Sequence, residues 1–158
     1  MTTPDAPSRP ITIAFIGLGH MGGPMAANLA RAGHSVTGFD VVPQALTVAA
    51  SNGISVAGSA EQAVGDAELV ITMLPSGKHV LSCYIGDGAG GILAAAKPGT
   101  LFLDCSTIDV ADARAAHATA IKAGQRALDA PVSGGVVGAT AGTLTFMVGA
   151  NPADFEQA

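Results

Sequence analysis

Ile11-Thr-Ile-Ala-Phe-Ile16 runs directly into Gly17-Leu18-Gly19-His20-Met21-Gly22. An apolar segment that meets three glycines at G-x-G-x-x-G spacing leaves the backbone few options. The segment reads as a buried strand, the glycines as a tight turn, and the stretch from about 20 to Ala32 as a helix. Gly33 ends that helix, Ser35–Phe39 reads as a second strand, and Asp40 stands at its tip, about 20 residues beyond the turn. Gly17 permits the turn, Gly22 lets the helix lie close to the strand, and Gly19 lets backbone approach a pyrophosphate. The first amides of the helix then point at the phosphates, with the positive end of the helix dipole behind them. A lone glycine pattern is weak evidence, but a strand before it, a helix after it and an acid at the right distance specify a dinucleotide site. Leu18, His20 and Met21 fill the turn and are candidate cofactor contacts with the glycines. Asp40 is placed to accept both adenosine ribose hydroxyls and to repel a 2′-phosphate. No arginine follows it directly, which favours NAD over NADP. The competing reading of Asp40 is a simple turn aspartate.

The rest of the chain continues the same alternation. Pro43 opens a helix to about Ala50, since proline is tolerated in a first turn. Ile54–Val56 is a short third strand. Ser59 caps a helix over 60–65, with Gln62 at the reach-back position of a capping box. Glu68–Leu74, bounded by Pro75, and Leu101–Asp104 read as buried parallel strands. Asp109 or its neighbour starts an alanine-rich helix ending near Gly124, and Arg126–Asp129 and Thr143–Val148 are later strands. Strands alternating with helices imply right-handed crossovers and a doubly wound, mainly parallel α/β sheet covered on both faces. Residues 1–10 are expected to be a flexible tail, 11–150 one domain, and 151–158 the start of a helix with nothing to pack on, as if cut from a longer protein.

Composition narrows the partners. Hydrophobic residues make up 49% of the 158 and charged residues 12%, which suits a packed α/β core. A net charge of −5 with no tryptophan argues against nucleic acid. No apolar run reaches membrane-span length, and the start has no signal core, so a cytoplasmic protein is expected. Cys83 and Cys105 lack metal-ligand spacing and read as reduced thiols. No Ser-His-Asp or Cys-His arrangement is legible: His34 caps a helix end and His117 lies mid-helix.

Three further segments carry a resemblance. They are Met73-Leu74-Pro75, then Asp104-Cys-Ser106-Thr107-Ile108-Asp109, then Asp129-Ala-Pro-Val-Ser133-Gly134-Gly135 running on to Gly149. With the glycine turn they span 11–150 and resemble the β-hydroxyacid dehydrogenase family, on its 3-hydroxyisobutyrate dehydrogenase side. The resemblance implies that Leu74 and Pro75 pack against the cofactor, with His79 contributing where the family often has asparagine. It implies Thr107 near the nicotinamide; Ser106 is read equally as a contact or a helix cap. It also implies that Ser133, Gly134 and Gly135 grip the carboxylate of a short 3-hydroxy acid, with two exposed amides and a hydroxyl forming the cradle.

The same family implies a lysine as general base, in a G-x-G-x-x-x-K stretch beyond Ala158, and a C-terminal helical domain that makes a homo-oligomer. Neither is in this sequence. Lys78, Lys97 and Lys122 fall on predicted surface segments, so this chain is expected to bind NAD without turnover. A tartronate-semialdehyde reductase-type enzyme and a non-catalytic dinucleotide-binding module are the alternatives.

Overall fold

The structure is a computed structural model describing residues 9–88 and 90–157; the expected tail over 1–8 lies outside these. In chain order the elements are β1 (Thr12–Ile16), α1 (Gly22–Arg31), β2 (Ser35–Phe39), α2 (Pro43–Ser51), β3 (Ser55–Val56), α3 (Ala60–Val64) and β4 (Leu69–Thr72). They continue with α4 (Gly77–Ile85), α5 (Gly91–Ala95), β5 (Leu101–Asp104), α6 (Val110–Lys122) and β6 (Arg126–Asp129). The last four are β7 (Val132–Ser133), α7 (Gly135–Ala141), β8 (Thr145–Phe146) and α8 (Pro152–Phe155).

Six strands form one sheet in the order β3-β2-β1-β4-β5-β6, all parallel. The chain winds outward from β1 in both directions, so the order reverses between β1 and β4. That reversal opens a crevice at the carboxyl edge, the usual ligand position in such sheets. Successive β1 residues serve opposite faces, as strand geometry requires. Ile13 and Phe15 join Met25 and Ala26 of α1 and Ala49 of α2. Ala14 and Ile16 join Val64, Val80, Ile92 and Ala120 of α3, α4, α5 and α6. Tyr84 meets Phe102 edge to face at 5.5 Å on that second side.

The segment over 143–148 differs from its expected place. Only Thr145–Phe146 is a strand, and it pairs antiparallel with β7 in a separate two-stranded ribbon. Both residues are exposed, so no burial draws them into the main sheet. The end of the chain also differs. Asn151 caps α8 by accepting the Asp154 amide at 2.9 Å. Asp154 is buried and accepts from Arg126 Nε of β6 at 2.6 Å, and Gln157 accepts from Arg126 at 2.7 Å. The 151–157 segment therefore packs on the sheet edge through polar side chains, which an apolar-pattern reading does not see. At the other end the exposed Arg9 pairs with Glu68. No helix of the described residues is long and apolar enough to cross a membrane.

Candidate functional site

The carboxyl ends of β1, β2 and β4 border a cleft of about 670 Å³. Three glycines set its floor, each for a different reason. Gly17 has φ +95°, and a Cβ there would lie 2.2 Å from the Met73 carbonyl oxygen. Gly22 is pressed against Gly17: its Cβ would lie 1.8 Å from the Gly17 oxygen. Gly19 is unlike both, because among the described residues nothing beyond its own chain neighbours lies within 4 Å of where its Cβ would be. Packing does not require glycine at 19; its bareness keeps the space above the turn clear. No side chain caps α1 and no acid sits in its first turn, so its positive end is left uncompensated beside that space. A pyrophosphate fits this arrangement on both counts.

Asp40 lines the same cleft. Its Oδ2 accepts from the Leu18 amide at 2.7 Å and its Oδ1 from the Val42 amide at 2.8 Å. The carboxylate thus fixes the glycine turn to the tip of β2 while bordering the cleft, so a turn role is built into this position. The Leu18 side chain is buried, and its methyls occupy the space that a side chain at Gly38 would need. What Leu18 offers the turn is its backbone.

His20, Met21, Leu74, Pro75 and His79 all line the cleft. His79 is exposed near the start of α4, its Nδ1 2.7 Å from the Ser76 hydroxyl. Ser106 does not cap the next helix, and it borders the same groove as Thr107. It is buried, donates to Asp104 Oδ1 at 2.6 Å and accepts from the Leu74 amide at 2.9 Å. Asp109 caps α6 instead, accepting the Ala111 amide at 2.8 Å. Thr107 is exposed and borders a neighbouring groove of about 510 Å³ with Arg114, His117 and Asp129. Ser133, Gly134 and Gly135 stand apart from the cleft, exposed at the end of β7 and the start of α7. Gly134 has φ +136° and Gly135 +61°, so the expected turn is in fact a helix entry. Asn28 of α1 holds α7 by donating to the Ala139 carbonyl at 2.7 Å.

Burial shapes the electrostatics. It raises the Asp104 carboxyl above its ordinary range, against the hydrogen bonds of Ser106 and Thr72. It raises Asp129 too, with the Asp104 charge adding. Burial also pushes both Cys83 and Cys105 up to about 12, so the free thiols stay protonated. Ser59–Glu61, Ser82 and Cys83 also line the cleft, and the sequence offered none of them as a cofactor contact. Ser59–Glu61 lie at the start of α3 and Ser82 and Cys83 in the second half of α4, so only the topology brings them to one cleft.

The model of the NAD binding domain of 6-phosphogluconate dehydrogenase matches residues 12–158. A probable 3-hydroxyisobutyrate dehydrogenase of Mycobacterium tuberculosis is 55% identical over 147 residues, 93% of this chain and 48% of that protein. An NAD-dependent L-serine dehydrogenase of Pseudomonas aeruginosa is 53% identical over 146 residues, 92% of this chain and 48% of that protein. The chain spans about half the length of the curated relatives it matches. A solved M. tuberculosis 3-hydroxyisobutyrate dehydrogenase with L-serine superposes with TM-score 0.91 at 54% identity, covering 95% of this chain and 50% of that one. With this strand order, this cleft and these relatives, the chain belongs to the family of the NAD binding domain of 6-phosphogluconate dehydrogenase, on its 3-hydroxyisobutyrate dehydrogenase side.

Proposed function

We propose that this chain is the cofactor half of an NAD-dependent dehydrogenase acting on short 3-hydroxy carboxylates. The open face of Gly19 over an uncapped helix start, with Asp40 beside it, carries the reading. In it, amides of the 17–22 turn hold the pyrophosphate and Asp40 receives the ribose. Leu74, Pro75 and His79 wall the cofactor in, and Thr107 borders the nicotinamide end. The bound nicotinamide supplies the hydride acceptor. Ser133, Gly134 and Gly135 hold the substrate carboxylate where a second domain closes over it.

The substrate reading is 3-hydroxyisobutyrate, oxidised to its semialdehyde. L-Serine is a second reading, because one similar protein is named an L-serine dehydrogenase and one similar structure is titled with L-serine. Both share one skeleton, a primary alcohol beside a carbon bearing the carboxylate. None of the three lysines lines the cleft, and Lys97 pairs with Asp66. A base from outside these residues therefore takes the hydroxyl proton, and the chain alone binds without turning over.

Titration calorimetry with NAD and NADP is the first test. NAD binding at least about tenfold tighter is expected, since Asp40 opposes a 2′-phosphate. Equal or tighter NADP binding rejects the Asp40 role. Joining the chain to the remaining half of the M. tuberculosis relative then allows an assay with 3-hydroxyisobutyrate and L-serine. Activity with neither, despite NAD binding, favours the non-catalytic module.

A further inference from the structure

Asp104 ends β5 inside the sheet, and its two oxygens are treated very differently. Oδ1 accepts from the Thr72 hydroxyl at 2.8 Å, the Ser106 hydroxyl at 2.6 Å and the Ser106 amide at 3.1 Å. Oδ2 is buried and has no partner among the described residues. A buried carboxyl with one oxygen unpaired is costly, and an apolar side chain of similar size packs there at less cost. Packing alone therefore does not account for an acid here.

What the carboxyl does hold is the Ser106 hydroxyl. By donating to Asp104, that hydroxyl turns its lone pairs to the Leu74 amide at 2.9 Å. Leu74 is the first residue past the parallel ladder, whose last bonds here are Met73 N to Ile16 O and Cys105 N to Thr72 O. Beyond them, the Ser106 hydroxyl is the hydrogen-bond partner among the described residues that ties the Met73–Pro75 segment to the sheet edge, beside the packing of Met73 and Leu74 on the core. Gly17 packs on the Met73 carbonyl of that same segment.

We propose that Asp104 is a positioning residue for the cofactor: through Ser106 it fixes the Met73–Pro75 turn, the cleft wall on which Gly17 rests. The inference rests on the NAD reading of the cleft. Burial that favours the neutral carboxyl agrees with it, since a neutral acceptor suffices to orient a hydroxyl.

Three variants separate positioning from packing. Ser106→Ala removes the link at the cost of one oxygen. Asp104→Leu removes the acceptor with the same number of side-chain heavy atoms, in a bulkier branched form. Asp104→Asn keeps a carbonyl oxygen for Thr72 and Ser106. The readouts are NADH fluorescence titration and exchange of the Leu74 amide by NMR. Ser106→Ala and Asp104→Leu are each expected to weaken NADH about tenfold and speed Leu74 exchange by a similar factor, leaving α1 amides unchanged. Asp104→Asn is expected within about threefold of the parent on both counts. Parent-like NADH binding by Ser106→Ala overturns the proposal, as does a folded Asp104→Asn that fails as badly as Asp104→Leu. Should Asp104→Leu not fold, the other two variants decide. A parent chain that binds no NADH rejects the cofactor reading, whereas a parent that binds while Ser106→Ala binds equally rejects only the positioning role.

Discussion

The 17–40 region and the 130–149 region present their chemistry in opposite ways. From Gly17 to Asp40, all the motif residues but Gly19 are held by backbone: Gly17 against Met73, Gly22 against Gly17, Asp40 on the amides of Leu18 and Val42. These residues converge on one cleft at the switch point of the sheet. From Ser133 to Met147 the chain forms a two-residue ribbon and a short helix outside the sheet. Ser133, Gly134 and Gly135 face solvent, and Val137 beside them is 82% exposed. The first region shares its cleft with Met73, Leu74, Pro75 and His79 of the same sheet edge. On the proposed reading, the second is half of a site, and its other half closes over it from a second domain.

That contrast is broken most directly at Gly22. Gly22→Val puts a branched side chain where even a Cβ lies 1.8 Å from backbone. A loss of about 3 kcal/mol or more in stability is expected, because backbone rather than a pliant side chain must move. Urea denaturation measures it. A variant as stable as the parent means that the turn is not locked.

Gly19→Val tests the other half of the same claim. Its side chain enters open space, so stability is expected within about 0.5 kcal/mol of the parent. NAD affinity is expected to fall by at least about a hundredfold, because the valine takes the pyrophosphate position and blocks its contact with the turn amides. Calorimetry against the parent decides, and retained affinity rejects the phosphate assignment.

Ser133→Ala sharpens the comparison from the exposed side. The Ser133 hydroxyl makes no hydrogen bond among the described residues, so little stability depends on it. In the chain joined to a relative's second half, acid use is expected to weaken by about 1.5–3 kcal/mol, the range for a hydrogen bond to a charged group. NAD affinity is expected to stay nearly unchanged. Steady-state kinetics with varied acid and a separate NAD titration measure both, and a large loss of NAD affinity moves Ser133 to the cofactor site.

The same difference explains what the sequence made legible. β2, β5 and β6 keep their expected bounds, because each is a short segment with buried apolar residues set off by glycines such as Gly33, Gly99 and Gly124 just before it. The glycine turn was legible because its spacing and flanking strand and helix are local, even though Gly17 rests on the distant Met73. Ser106 was not, because a hydroxyl ahead of a helix looks the same whether it caps or points inward; only the register of Thr72 beside Asp104 shows the difference. α7 was hidden by Gly134, Gly135 and Gly138, which carry no helical signal. They become a helix where Leu144 covers Gly134 and Gly138. The docking of α8 rests on Arg126 and Asp154, far apart in sequence and without periodicity.

The smallest expected effect lies between the two regions, where Asp104 and Asp129 end neighbouring strands in register. Burial raises the Asp104 carboxyl above its ordinary 3.8, so the folded chain keeps a proton that the unfolded chain has released. Stability therefore falls as pH rises from 3.8 through that raised value. Glu68 has the opposite sign: its bonds to Arg9 and the Thr12 amide hold it at about 2. The stability it contributes is present above its ordinary 4.5 and is lost as pH falls toward 2. The two windows scarcely overlap. Asp104→Asn removes the first and leaves the second, with Asp129, also raised by burial, supplying the remaining downward slope. Thermal melts from about pH 4 to about pH 8 are expected to show the Tm of Asp104→Asn gaining on the parent by a few degrees as pH rises. A difference that stays flat across that range means that the folded Asp104 ionises as readily as an exposed acid, and that its burial costs the charged form nothing.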